Sequence, residues 1–318
     1  MSIVQYIKEI GRGAAGARSL SQEQAEDLMC TVLDGRATDL EIGAFVLAMR
    51  MKGETLDELT GFLAAVQTRC LRLHSERPVV VIPSYNGARR LPNLTPLLAM
   101  SLAQEGAHVL VHGQPQDPAR VTSAAIFHDL GLPVAHNEAD VHSAWARREP
   151  AVMHTQTLCP PLQRLLDVRW AVGVRNSGHT VAKMLDPCTG ARTLRLVSFT
   201  HPEFGALMSS WAQRHFVDTM LLRGTEGEAV ADPRRQPRID TWIAGELRPE
   251  WSVPAQDGVV AELPLLPREN DAATTALYIQ AVLSGEKPAP GPLTRQVQMA
   301  LGALAEIDAP RPALGKTA

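Results

Sequence analysis

The sequence predicts an α/β fold behind a helical N-terminal domain, and three observations carry that reading. Residues 1–75 keep helical spacing and contain three successive capping boxes. From Val79 onward, short apolar runs alternate with amphipathic segments, the pattern of a parallel sheet joined by crossover helices. A glycine-containing loop then follows the first apolar run, where an α/β fold normally places anions. The division read from this is a helical domain over 1–75 and an α/β domain over 76–318.

Ile3, Val4, Ile7 and Ile10 follow helical spacing. Gly11–Gly16 (GRGAAG) matches GxGxxG, but the element before it is helical and no βαβ unit surrounds it, so it reads as an interhelical loop. Ser21 with Gln24, Thr38 with Glu41 and Thr55 with Glu58 form the capping boxes. Each opens an apolar stripe: Leu28 and Val32, then Phe45 and Met49, then Leu59, Phe62 and Val66. Gly35 and Gly53 close the first two helices. The stripes serve a core, with part of them available as a dimer surface.

VVVI (79–82) reads as a strand buried on both faces. Thr95-Pro96 opens a helix that ends at Gly106, and HVLVHG is the second strand. Asp117-Pro118 is read as the cap of a helix ending at Gly131. A short strand at 133–135, a helix at 139–148 and a strand at 151–155 follow. Residues 160–186 read as helix, 194–199 as strand, 202–215 as helix and 217–222 as strand. Residues 229–267 are proline-rich and irregular with room for short strands, 271–284 and 292–307 are closing helices, and 308–318 is a frayed tail.

Composition bounds the function. Aromatic residues are only 4%, which weighs against a base-stacking surface rich in Phe and Tyr. The net charge of -3 excludes a globally basic protein and leaves a local basic groove open. Four scattered cysteines without CxxC indicate free thiols in a reducing compartment. No apolar run spans a bilayer and no signal-peptide core opens the chain, so the expectation is a cytoplasmic protein without a membrane partner.

The landmarks, taken in order, resemble the anthranilate phosphoribosyltransferases, which share a fold with the pyrimidine nucleoside phosphorylases. That family carries GTGGD after the first strand, N-x-S-T at a helix start and KHGNR after the second strand. An R-x-x-LG-x-RT helix and an acidic pair after a later strand complete its signature. Here IPSYNGARR stands at the glycine loop and only Gly87 remains. Asn93, Thr95, His112, Gly113, Arg169, Gly173 and Arg175 are kept, while Val111 and Gln114 replace the lysine and asparagine of KHGNR. Glu226 and Glu228 stand where the acidic pair is expected, with altered spacing. The strings Gly173–Lys183, Ser198–Phe204 and Leu222–Glu228 resemble the YbiB-type branch of the family. The resemblance implies a class III phosphoribosyltransferase/nucleoside phosphorylase-like fold. It also implies a homodimer and non-sequence-specific binding of nucleic acid (DNA, with RNA open) in place of tryptophan biosynthesis.

A phosphoribosyl diphosphate site needs backbone N–H groups, small residues that let the backbone approach, and carboxylates for Mg²⁺. Pro83 removes one N–H, and Tyr85 is expected to fill the diphosphate's space. Tyr85, Asn86, Gly87, Asn93, Thr95, His112 and Gly113 therefore read as a vestigial substrate loop with no catalytic residue. Arg89, Arg90, Arg164, Arg169, Arg175, His179 and Lys183 are the candidate phosphate-contacting groups. Pairing with acids such as Asp167 and Asp186 is the alternative for the arginines, and a hydrogen-bonded structural role is the alternative for His179. Glu226 and Glu228 either hold Mg²⁺ or form an ordinary turn. No cofactor is required on the nucleic-acid reading. Mg²⁺ enters only with the enzymatic alternative, phosphoribosyl transfer to an aromatic amine. A small-anion sensor or interaction scaffold is the third reading.

Overall fold

The computed structural model describes residues 2–13 and 15–309. Most of the expected tail, and one residue of the GRGAAG loop, lie outside the described residues. The N-terminal helices are α1 (Val4–Ile10), α2 (Gln22–Leu33), α3 (Asp39–Lys52) and α4 (Leu56–Gln67). All three capping boxes form, with Ser21, Thr38 and Thr55 each accepting from the N3 amide while the N3 side chain returns to the cap. Such a cap contributes about 1 kcal/mol.

The chain continues through β1 (Leu73–Ser75), β2 (Val79–Ser84), α5 (Thr95–Gln104), β3 (His108–Gly113), α6 (Ser123–Asp129), α7 (Glu138–Ala146) and β4 (Ala151–His154). Next come α8 (Thr155–Leu158), α9 (Pro160–Val172), α10 (Ser177–Ala182), β5 (Cys188–Gly190), β6 (Thr193–Phe199), α11 (Pro202–Arg214) and β7 (Thr219–Arg223). The last elements are β8 (Ile239–Ile243), β9 (Glu246–Leu247), α12 (Ala272–Leu283) and α13 (Gly291–Asp308).

The main sheet runs β4-β3-β2-β6-β7-β8-β9, parallel through β7 and antiparallel at β8 and β9. Strand β2 is the third of the seven, between β3 and β6. Val79 and Val81 face one core cluster, which includes the N-terminal helices, and Val80 and Ile82 face the other, beneath α5, α12 and α13. That alternation inside an all-apolar run is the period of two of any strand, with both faces buried. The strand order reverses between β2 and β6, so their C-terminal ends form the topological switch point where α/β sheets bind ligands.

Four sequence expectations are corrected. Residues 133–135 form no strand, only an isolated bridge from Val134 to Val152. Asp117 caps no helix: its Oδ1 takes the Ala119 N–H in a local turn, and α6 is capped by Thr122. Thr95 is the first helical residue of α5 and Leu94 is the cap, which puts Pro96 one place later than expected. The 160–186 helix breaks at Gly173, whose φ of 81° lies in the left-handed region. Both resulting pieces pack against the N-terminal helices, α9 on α2 and α10 on α4. The helical layer is thus built from two stretches of chain, and the parallel pair β1–β5 marks where each stretch ends. Among the described residues no helix is long and apolar enough to cross a membrane.

Candidate functional site

The loop after β2 closes against the loop after β7. Glu228 is 1% exposed and its carboxylate is fully engaged. Its Oε1 takes the N–H groups of Asn86 (2.7 Å) and Gly87 (2.6 Å). Its Oε2 takes the Ser84 hydroxyl (2.6 Å) and the Thr95 hydroxyl (3.3 Å). Glu226 serves the next three amides, Arg89 N–H at 3.1 Å, Arg90 N–H at 2.8 Å and Leu91 N–H at 3.0 Å. The five amides form a nest of the kind that otherwise cradles an anion; here two side chains of the same chain fill it.

The backbone is shaped for this closure. Gly87 has φ of 62°, and a Cβ there would press on the Val121 carbonyl. Gly227 has φ of 89°, and a Cβ there would collide with the Asn86 side-chain amide. That amide donates to the Glu226 carbonyl at 2.9 Å.

Tyr85 does not fill the diphosphate's space. Its side chain turns into the core, 3% exposed, and its hydroxyl lies 2.9 Å from His112 Nδ1 while accepting from Thr155 at 3.2 Å. The His112 Nε2 faces the Leu185 carbonyl at 3.3 Å, which puts the ring proton on Nε2 and leaves Nδ1 to accept from Tyr85. Burial brings its pKa down to about 4. Asn93 stays at the mouth of α5, where its Oδ1 accepts from Thr95 N–H and its Nδ2 donates to Ser123 Oγ. Gly113 ends β3 in register with Ser84.

The cations separate into three groups. Arg89 and Arg90 project exposed side chains while their amides are held by Glu226. Arg175 donates to Asn86 Oδ1; burial first, then Arg169 and Arg120, lower it to about 10. Lys183 rests on the carbonyls of Gly227 (3.1 Å) and Ser198 (3.5 Å), and burial lowers it to about 8. His179 is 5% exposed; burial, Arg175 and Arg169 take it down to about 3, so it is neutral at pH 7. Its Nδ1 lies 3.3 Å from the Asn176 N–H, and its Nε2 has no partner among the described residues. Arg164 leaves the group: it donates to the Leu33 carbonyl at 3.0 Å, toward the helical layer. The suggested pairs with Asp167 and Asp186 do not form for Arg169 and Arg175. Arg169 lies 3.3 Å from Asp117, and Asp186 is paired with Arg195.

A cavity of about 380 Å³ opens between the α3–α4 turn and the switch point. Arg175, His179 and Lys183 line it, joined by Arg50, His201 and one acid, Glu54, whose carboxyl burial pushes up. Sequence reasoning missed Arg50, Arg120, Asp117 and Arg223. Arg120 Nη1 donates to the Gly87 carbonyl at 3.1 Å from a bridge-paired loop that has no sequence signature. The acidic pair does not fit a divalent cation as it stands. Every one of its four oxygens receives an N–H or O–H, and no cluster of three or more His, Cys, Asp or Glu able to hold a metal occurs among the described residues.

The family described as "Glycosyl transferase family, helical bundle domain" matches residues 4–70. Over 309 residues the chain is 38% identical to the uncharacterized protein YbiB of Escherichia coli, covering 96% of this chain and 95% of that one. The chain belongs to the YbiB branch of glycosyltransferase family 3. It is also 26% identical to the anthranilate phosphoribosyltransferase of Symbiobacterium thermophilum, over 90% of this chain and 83% of the relative. The anthranilate phosphoribosyltransferase of Thermus thermophilus superposes with a TM-score of 0.73 at 20% identity, covering 95% of this chain and 88% of that one. The Saccharomyces cerevisiae enzyme in complex with PRPP and Mg superposes with a TM-score of 0.70 at 14% identity, covering 96% and 88%. At those identities the superpositions speak for the fold.

Proposed function

We propose that this chain binds the phosphodiester backbone of nucleic acid on a phosphoribosyltransferase scaffold and transfers no phosphoribosyl group. The observation that supports this is where the site's negative charge is spent. Glu226 and Glu228 satisfy loop amides, so the side chains of Arg50, Arg89, Arg90, Arg175 and Arg223 have no carboxylate within ion-pair distance among the described residues. All five arginines sit around the C-terminal ends of β2, β6 and β7 or on the cavity beside them.

Single-stranded DNA titrated from low to high salt is expected to show log K falling linearly with log[salt], by about 0.7 per phosphate neutralised. Replacing Arg89 and Arg90 together with alanine is expected to lessen that slope by about 1.4. No binding at about 50 mM salt, where non-specific contacts are strong, would overturn the reading.

Phosphoribosyl transfer to an aromatic amine is the second reading, supported by the anthranilate phosphoribosyltransferase relatives and by Asn93 and Thr95 at the start of α5. It requires Glu226 and Glu228 to leave their amides for Mg²⁺. Calorimetry with phosphoribosyl diphosphate decides: a tight heat that needs Mg²⁺ favours the enzyme.

The homodimer is proposed on the outer face of the helical layer. Leu40, Leu47 and Met51 lie on one side of α3 at intervals of seven and four, and Leu40 and Met51 are more than 80% exposed. A row of exposed apolar side chains on one helix face is the kind of surface that a second copy can cover. Substituting Leu47→Glu with Met51→Glu is expected to yield a folded monomer by light scattering. An unchanged dimer mass would move the interface elsewhere.

A further inference from the structure

A second cleft, of about 590 Å³, lies between α9 and the loop after β3. Its wall is unlike the cationic cavity. Gln114, Gln116, Gln156 and Gln163 line it with Asp117 and Trp170. Gln163, Asp167 and Trp170 stand at i, i+4 and i+7 and so share one face of α9. Trp170 is 51% exposed, which is unusual for the residue type. The Arg169 guanidinium lies 4.1 Å from its ring centroid, and the half-exposed ring lines the cleft.

Two nearly buried side chains in this wall are short of partners. Gln163 is 8% exposed; its Nε2 donates to Asp167 Oδ1 at 2.9 Å, but its Oε1 accepts nothing among the described residues. The Asp117 side chain is 2% exposed; its Oδ2 is ion-paired with Arg169 at 3.3 Å but receives no hydrogen bond among the described residues, and Arg169 Nη1 likewise has no hydrogen-bond partner there. Buried oxygens without donors cost about 1–3 kcal/mol each, so native proteins keep few of them unless something supplies the donors. A planar group carrying N–H donors, stacked on Trp170, would supply Gln163 Oε1 with its missing donor and add a hydrogen bond to the ion-paired Asp117 Oδ2.

We propose that the cleft takes one unpaired nucleobase, stacked on Trp170, with its exocyclic amino edge toward Gln163 Oε1 and Asp117 Oδ2. This rests on the nucleic-acid reading and deepens it from phosphate contact to base contact. The two sites adjoin at the C-terminal end of α9: Trp170 lines the cleft, and Gly173, Val174 and Arg175, which follow directly, line the cationic cavity. A strand whose phosphates follow the arginines therefore passes the cleft mouth. Because the side-chain oxygens only accept, the amino-bearing bases adenine, cytosine and guanine fit, and thymine, whose one edge donor is its ring N3–H, fits less well.

The test compares oligo(dA), oligo(dC) and oligo(dT) of one length, which carry equal phosphate charge. Oligo(dA) and oligo(dC) are expected to bind more tightly than oligo(dT) at every salt concentration. Trp170→Ala, at a half-exposed position, is expected to weaken oligo(dA) about tenfold without changing the salt slope, and Trp170→Phe to restore part of the loss. Gln163→Met is expected to shrink the preference over oligo(dT). If all three oligomers bind alike and Trp170→Ala changes nothing, the base site is wrong while the phosphate reading stands. If none binds at low salt, both readings fall.

Discussion

Glu228→Ala is expected to cost about 3–5 kcal/mol of unfolding free energy, the loss usual when one member of a buried charged network is removed. Two amides and two hydroxyls donate to that carboxylate, between 2.6 and 3.3 Å. Without it, four donors in a buried environment lose their acceptor, and water entering the vacated space recovers only part of their hydrogen bonding. Arg175 and Lys183 also lose a nearby negative charge that favours their protonated forms. Denaturant unfolding, read as a lower midpoint at constant m, measures the effect. A loss below about 1 kcal/mol would mean that the carboxylate does not organise the loop. The same variant probes function. If it folds, the Asn86 and Gly87 amides become available, and inorganic phosphate is expected to raise its melting temperature more than that of the parent protein. Glu226→Ala is expected to cost less, because its side chain is 16% exposed and water can replace it at the amides of residues 89–91.

The part of this arrangement legible in the sequence is the part written in local patterns. Thr38 and Glu41 lie three residues apart, and no tertiary contact is needed to see that they cap a helix. The apolar run at Val79 announces a buried strand for the same reason. Loss of the glycine loop is also visible. What replaces it is not, because Glu226 reaches Arg90 across 136 residues of sequence and no spacing rule covers that distance. Tyr85 shows the opposite failure: a bulky residue in a substrate loop suggests obstruction, yet alternation along β2 sends it to the core face, where His112 receives it. Arg164 misleads because helical spacing does not reveal where the helical layer lies. It sits one residue past Gln163 and so points roughly 100° away from the cleft, toward Leu33. Trp170 carries no motif at all; only its exposure beside two unsatisfied oxygens singles it out.

Acid is expected to destabilise the protein well above the range in which most carboxylates titrate, and two buried neutral histidines account for it. His112 and His179 have folded pKa values of about 4 and about 3 against an ordinary 6.5. A histidine lowered by folding binds its proton more readily in the unfolded chain, so stability is fully present above pH 6.5 and is lost as pH falls toward the folded value. At pH 5 each ring contributes a loss of about 2 kcal/mol relative to pH 7.5, or about 4 together. The direction follows from the surroundings. Burial disfavours a charge on His112, and the Leu185 carbonyl and Asp186 oppose that shift only in part. Protonating His179 would add a cation beside Arg175, Arg169 and Lys183. His108, His154 and His215 are lowered too, by burial first, and act in the same sense. Glu54, raised by burial, works the other way and favours the fold as pH drops. Urea unfolding at pH 7.5, 6 and 5 reads the slope, and His112→Asn and His179→Asn are each expected to remove about half of it. A stability that stays level from pH 7.5 to 5 would mean that water reaches both rings. The cavity beside His179 would then be wetter than its cationic wall implies, and the phosphate contacts proposed there weaker by the same screening.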